Sequence, residues 1–293
     1  MHSNPFTDAE LARRVSAVRT RMGERGLDML LLSSPENIFY LVGLDHWGYF
    51  APHVLIVPAE GALVLVTREM ERVAIRNMVR NADFIGHSDS ETAADAVVRH
   101  LAGRCAGKVV GYEGWSPGLS HALGARLMDG IDAGRWQDAT ALVDEMRFVK
   151  SAQEQALIRL AAKTADAGTQ AAIAAIHDGA READVAAECL AGMTRAGATP
   201  PGFGPFLRPA RRMAEEHTSW GDGVHRDAVF LEVAGCVARY NAPMGRLVHI
   251  GSVPDADAEM AELSQRAFDA ALAALTPGAR ARDVYAAWQA VVD

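Results

Sequence analysis

The chain has 293 residues, 49% apolar and 23% charged, a globular composition that excludes disorder and collagen-like repetition and, at about 150 residues per domain, suggests two domains. Net charge is −8, from 37 acidic and 29 basic residues, which argues against a nucleic-acid partner held by charge. No apolar run approaches the roughly 18 residues of a membrane span, so no membrane partner is expected. Met1–Arg14 lacks the apolar core of a secretory leader, and Cys105, Cys189 and Cys236 lie far apart with no CxxC. A cytoplasmic location with reduced thiols is the expectation.

The first half alternates helix and strand patterns. Leu11, Val15, Val18 and Met22 recur at three- and four-residue steps, predicting a helix over Leu11–Gly26. Leu27–Leu32 reads as a buried strand, and Ser34–Asn37 as turn chemistry. Val54–Val57 and Leu63–Thr67 flank Pro58–Gly61 as a hairpin. Helical patterns follow over Glu69–Arg80 and Thr92–Ala102, then a strand over Lys108–Tyr112. A helix is predicted over Ser116–Asp129, with Ser116 as N-cap and Pro117 in the first turn. An α/β domain over residues 1–147 is expected.

The second half, residues 148–293, opens on a long Ala-rich helix, Ser151–Ile176, begun by a Ser151/Glu154 capping box. A helix over Arg181–Arg195 and an irregular stretch through Pro200, Pro201, Gly202, Gly204, Pro205 and Pro209 follow. Val229–Ala234, Ala238–Asn241 and Leu247–Ile250 read as strands, and Ala256–Leu275 as another long helix. Gly179-Ala-Arg-Glu-Ala-Asp-Val185 recurs as Gly278-Ala-Arg-Ala-Arg-Asp-Val284. Each copy follows a long helix and opens another. The first copy leads into strands, whereas the second reaches Asp293 inside its short helix. A duplicated helix–helix–sheet unit with its second sheet missing is the expectation, and with it a chain that is C-terminally truncated.

Glu145-Met-Arg-Phe-Val-Lys-Ser-Ala-Gln-Glu154, Gly179–Val185 and Asp227–Arg246, in this order, resemble the creatinase / aminopeptidase P / prolidase superfamily. The resemblance implies an α/β N-terminal creatinase-like domain plus an α+β pita-bread domain, the latter incomplete, in a protein that forms a homodimer. Its metallopeptidase branch carries two Asp ligands eleven residues apart, the second followed three residues later by Arg. Aligned on Arg246, those positions hold Glu232 and Pro243. Pro243 has no side-chain donor, so no metal and no other cofactor is expected. The run Phe230–Arg246 is similar to the metal-independent creatinase and ectoine hydrolase branch. That implies hydrolysis of a C–N bond in a small-molecule substrate, with the chain as given inactive. A metal-dependent Xaa-Pro aminopeptidase or dipeptidase and a non-catalytic fragment are the alternatives.

Glu232 stands in an otherwise apolar strand, where a carboxylate is costly unless paired or functional. It suits a nucleophile or base; the bland reading is an edge-strand Glu paired with Arg239 or Arg246. His217 matches the family's histidine near the scissile bond, the alternative being a loop surface His; His225 is its competitor. These two, His217 and Glu232, are the expected catalytic residues. Arg208 suits a substrate carboxylate, against a solvated basic loop with Arg211 and Arg212 answering Glu215 and Glu216. Tyr240 and Arg246 complete the expected substrate-binding set, or act as structural anchors. The aromatic group Phe39, Tyr40, His46, Trp47, Tyr49 and Phe50 reads as domain packing, or as a cover for a cationic ligand.

Overall fold

The computed structural model describes residues 4–200 and 204–293, which divide into two compact units, Met1–Leu157 and Ile158–Asp293. Pro201 and Gly202 of the expected irregular stretch lie outside the described residues, as does Phe203.

The first unit is built on six strands: β1 (Met29–Leu32), β2 (Val54–Pro58), β3 (Leu63–Arg68), β4 (Ala82–His87), β5 (Val109–Tyr112) and β6 (Arg135–Asp138). Their order is β4-β3-β2-β1-β5-β6. The β1–β2 and β2–β3 pairs are antiparallel and the others parallel. Six helices pack on this sheet: α1 (Asp8–Glu24), α2 (Pro35–Val42), α3 (Arg72–Met78), α4 (Ala93–Leu101), α5 (His121–Gly130) and α6 (Leu142–Arg147). The period-2 alternation of the strands splits their apolar residues between two cores. Leu30, Leu32, Leu55, Val57 and Leu65 face Val18, Met22, Ile38, Leu41 and Leu142. Leu31, Val54, Ile56, Val64 and Val66 face Val97, Leu101, Leu123 and Leu127.

Two expected turns and helices are placed differently. Pro35 begins α2 with Ser34 as N-cap, rather than sitting in a turn; proline at a first helical position loses no intrahelical bond. The last predicted helix of this half starts at His121, because Ser120, not Ser116, caps it by accepting from Leu123 N. Ser116 Oγ instead accepts from Gly118 N in a turn. Strands β4 and β6 were not foreseen: both flank the sheet and are only partly buried, so neither shows an apolar run.

Arg14 is fully buried. Its guanidinium lies over the rings of Phe6 and Tyr40, at 3.8 and 4.2 Å. It pairs with Glu10 at 2.9 Å and with Glu154 at 3.6 Å, and donates to Tyr40 O. Glu154 closes the expected capping box with Ser151 at the start of α7 (Ala152–Ala175). A second buried polar group surrounds His53. Its Nδ1 lies 2.9 Å from Ala51 O and 3.3 Å from Thr67 Oγ1, and its Nε2 lies 3.1 Å from His46 Nε2. His46 Nδ1 in turn reaches Glu71 at 3.2 Å. Burial, with the fields of His46 and His87, pushes the His53 pKa down to about 4. Within the aromatic group, Phe39 and Tyr40 are core residues, while Trp47 and Phe50 are exposed.

In the second unit, α7 continues and is followed by α8 (Glu182–Arg195). The two helices cross through small residues. A Cβ on Gly192 would meet Ala171 Cβ at 2.7 Å and Ala167 O at 2.9 Å, so the Ala-rich composition serves close approach. Three strands, β7 (Phe206–Pro209), β8 (Ala228–Val237) and β9 (Tyr240–His249), form an antiparallel sheet in that order. Leu207, Val229, Leu231 and Val233 fill the core with Val185, Cys189 and Met193 of α8. Gly235 lets β8 touch α7 directly: a Cβ there would fall 2.2 Å from Ala161 O. The three short strands read from the sequence are two long ones. Ala238 and Arg239, both at positive φ, make a two-residue turn between Val237 and Tyr240, a turn geometry usually supplied by Asn-Gly.

The repeat is a structural one. Gly179 and Gly278 have φ +80° and +90°. Asp184 N and Asp283 N donate to the carbonyls of Arg181 and Arg280, which cap α8 and α10 (Ala281–Val292), the latter preceded by α9 (Asp255–Ala274).

Removing one partner of a buried ion pair strands the other charge, at a cost of about 3–5 kcal/mol. Arg14→Met is therefore expected to lower urea stability by that order, whereas Arg13→Met, on the exposed side of Glu10, changes it by under ~1 kcal/mol. For His53, the unfolded chain binds the proton first, so stability is fully present above about pH 6.5 and is lost as pH falls toward 4. Between pH 7 and 4.5 the loss from this group is about 2–3 kcal/mol. Urea denaturation at the two pH values checks it: the drop shrinks by most of that amount in His53→Gln.

Candidate active site

The site is set by strand register. Cross-strand partners share a face, and Glu232 pairs with Phe206 on one side and Gly245 on the other. Arg208 pairs with Phe230. Phe206, Arg208, Phe230 and Glu232 therefore project together, away from the face that Leu207, Val229, Leu231 and Val233 turn to the helices. Pro243, opposite Ala234, lies on the Glu232 face. The two positions aligned with the metal-ligand pattern thus do share a side of adjacent strands.

Arg208 is only 4% exposed. Its Cζ lies 4.7 Å from the Phe230 ring centroid, and its Nη1 donates to Glu215 O. Its Nε is buried with no hydrogen-bond acceptor, and it forms no ion pair among the described residues. The carboxylate of Glu232, half-buried, likewise makes no hydrogen bond or ion pair among the described residues. His217 sits on the loop before β8 at φ +54°, with its ring 6.1 Å from that of Phe206. A histidine in the left-handed region is held there by its surroundings, a kind of strain that gathers at functional positions. Phe206 is thus the common neighbour of His217 and Glu232.

The loop carrying His217 is pinned by Glu182, the first residue of α8, which is fully buried. Its carboxylate accepts from Arg211 Nη2 and Arg212 Nη2, each at 2.6 Å, and from Gly221 N at 2.7 Å. Burial alone would raise its pKa; the Gly221 N–H and the two guanidinium groups outweigh that and hold it below the ordinary carboxylate value. Arg211 and Arg212 are therefore not a solvated pair answering Glu215 and Glu216 alone: Glu182 takes a bond from each, and only Arg212 also reaches Glu215, at 3.5 Å. Sequence reading missed Glu182. The available signal was the repeat, whose second copy has Ala281 at the matching place.

The remaining sequence candidates fall elsewhere. Arg246 pairs with Leu231 and Tyr240 with Val237 in the register, on the side opposite Glu232. The alternative reading, an ion pair of Glu232 with Arg246, is not formed, and Arg246 is exposed with Nη1 on Gly245 O. The Ala238–Arg239 turn sets this parity. His225, the competitor of His217, is wholly buried, and its backbone pairs with Ala180. Neither of its ring nitrogens has a hydrogen-bond partner among the described residues, and burial lowers its pKa. All three cysteines are free and buried, and burial pushes the Cys189 thiol up to about 11, far from a reactive thiolate.

Residues 14–149 match the Creatinase/Prolidase N-terminal domain and residues 156–293 the metallopeptidase family M24. The chain is a member of the creatinase–M24 superfamily. Residues 156–293 belong to the M24 pita-bread fold. It is 28% identical to the ectoine hydrolase of Halomonas elongata, over 99% of this chain and 78% of that one. It is 23% identical to the Xaa-Pro dipeptidase of Pyrococcus furiosus, over 90% and 72% of the two chains. The prolidase structure from Pyrococcus horikoshii superposes with a TM-score of 0.82 at 21% identity, covering 96% of this chain and 77% of that one. The creatinase–M24 chain thus spans about three quarters of the length of these relatives. No helix among its described residues is long and apolar enough to cross a membrane.

The metal that the M24 description implies does not fit the donors on this face. Glu232 is the one carboxylate there among the register partners, Gly245 and Pro243 offer no side-chain donor, and no group of three or more His, Cys, Asp or Glu side chains suited to a metal occurs among the described residues. Arg246→Ala is expected to leave urea stability within about 0.5 kcal/mol and to leave binding of a small carboxylate probe unchanged within about twofold. A larger loss of probe binding, read by calorimetry, would place Arg246 at the site after all.

Proposed function

We propose that this creatinase–M24 chain carries the binding and proton-transfer residues of a hydrolase that cleaves a C–N bond, amide or amidine, in a small polar nitrogen compound bearing a carboxylate, without a metal ion. One observation carries the reading: Arg208 is a buried cation with no counter-anion among the described residues. The same chain displays the alternative. Arg14, also buried and also stacked on aromatic rings, is neutralised by Glu10 and Glu154. An unpaired buried charge is costly, and a carboxylate arriving with the substrate offsets that cost through charge-assisted hydrogen bonds. The ectoine hydrolase relative supports this branch, and the donor set at Glu232 and Pro243 speaks against the Xaa-Pro dipeptidase one.

With the substrate carboxylate on Arg208, the scissile carbon lies toward Phe206, between His217 and Glu232. Glu232 takes a proton from water as the water oxygen bonds to that carbon. His217 gives a proton to the leaving nitrogen, and the C–N bond breaks. Hydroxyl is added to carbon and hydrogen to nitrogen; Glu232 returns its proton to solvent and His217 regains one.

Binding of N-acetylglycine, compared with its carboxamide, tests the reading. The carboxylate form is expected to bind at least about tenfold more tightly, and Arg208→Leu to abolish the preference, a loss of about 1.5–3 kcal/mol for a hydrogen bond to a charged group. Equal binding of both forms, or hydrolysis of a dipeptide that appears only on adding a divalent cation, would overturn it.

A further inference from the structure

We propose that Glu182 is the positioning residue of this site: it fixes the His217 loop and, by binding Arg211 and Arg212, leaves Arg208 as the guanidinium open to an anionic ligand. The inference rests on reading Arg208, His217 and Glu232 as the ligand site.

Three observations carry it. First, the Glu182 carboxylate collects its bonds from both ends of one loop. Arg211 and Arg212 precede His217 by a few residues, and Gly221 follows it. The same loop supplies Glu215 O to Arg208 and the His217 ring to Phe206. One fully buried anion therefore governs the anchoring of both.

Second, the turn and helix at Glu182 do not need it. The second copy of the repeat makes the same entry, with glycine at positive φ, an Arg cap and the same local turn and helix-start bonds, and has Ala281 where the first has Glu182. A glutamate in a first helical turn gains from the helix dipole, yet such residues are usually exposed. This one is buried and spends its lone pairs on the loop.

Third, the charges divide unequally. Arg208, Arg211 and Arg212 lie within five residues of one another, and two of the three are bound to Glu182. The backbone holds the far end of the loop independently, through Glu182 N to Gly223 O and His225 N to Ala180 O. Loss of the carboxylate would thus free the middle of the loop and two guanidinium groups without releasing its end.

The test is Glu182→Gln in the full 293-residue chain, read by NMR and hydrogen exchange, with acetate as the probe. The Gly221 amide is expected to exchange at least tenfold faster, the contact signal between His217 and Phe206 to disappear, and acetate affinity to fall at least fivefold, while α7, α8 and β8 keep their signals. The fivefold effect should vanish in an Arg208→Leu background, which ties it to that guanidinium rather than to Arg211 or Arg212. If Glu182→Gln fails to fold, Arg212→Gln, changed at a partly exposed side chain, carries the same expectations. An unaltered His217–Phe206 contact in the folded variant overturns the inference. Loss of that contact in a chain that neither binds acetate nor cleaves any amide upholds the positioning role and defeats the functional reading instead.

Discussion

A three-stranded antiparallel sheet with helices packed on one face has one other face, and register decides what lies there. In Ile158–Asp293 the apolar alternation of β7 and β8 commits Leu207, Val229, Leu231 and Val233 to the helices. Phe206, Arg208, Phe230 and Glu232 are left to the other side. A one-residue slip would exchange the two sets and bury Glu232 against α8. The core thus enforces the arrangement of the polar site without touching it. The only other requirement is the two-residue turn at Ala238 and Arg239, which fixes how β9 is laid alongside. Thr199 supports that turn by accepting from Ala238 N and donating to Cys236 O.

The chain holds its arginines in three ways. Arg14 is surrounded by carboxylates and aromatic rings and serves packing. Arg211 and Arg212 converge on a single buried anion and serve the shape of a loop. Arg208 has a ring and one carbonyl, with its Nε unbonded. The same chemical group is structural, organisational or ligand-seeking according to how much negative charge the fold itself supplies.

Much of this was legible in the residues. Helices and central strands follow from their periods, the α7 start from its Ser151/Glu154 box, and the suspicion on Glu232 from a charge within an apolar strand. The face of Tyr240 and Arg246 was not legible, because Ala-Arg does not announce a hairpin turn. Once the turn is placed at Ala238–Arg239, counting back pairs Leu231 with Arg246, and the parity follows. Strands β4 and β6 escaped because a partly exposed flanking strand needs no apolar run. Glu182 was visible only as a mismatch between two otherwise similar segments. Its role depends on Arg211, Arg212 and Gly221 coming back to it through the fold, which no local pattern encodes.

Gly235 constrains the future of this sequence as much as its present. A side chain there would have to enter the backbone of α7, with Ala161 O, Thr164 Oγ1 and Ala165 N all within 2.5 Å of its first carbon. No single substitution can relieve that, since two of the three obstructing atoms, Ala161 O and Ala165 N, are main chain. Substitution can therefore alter the side of β8 that carries Phe230 and Glu232, at the cost of the present site, while the spacing between strand and helix stays frozen. New specificities would be reached by changing the polar face, on a scaffold whose depth evolution cannot adjust one codon at a time.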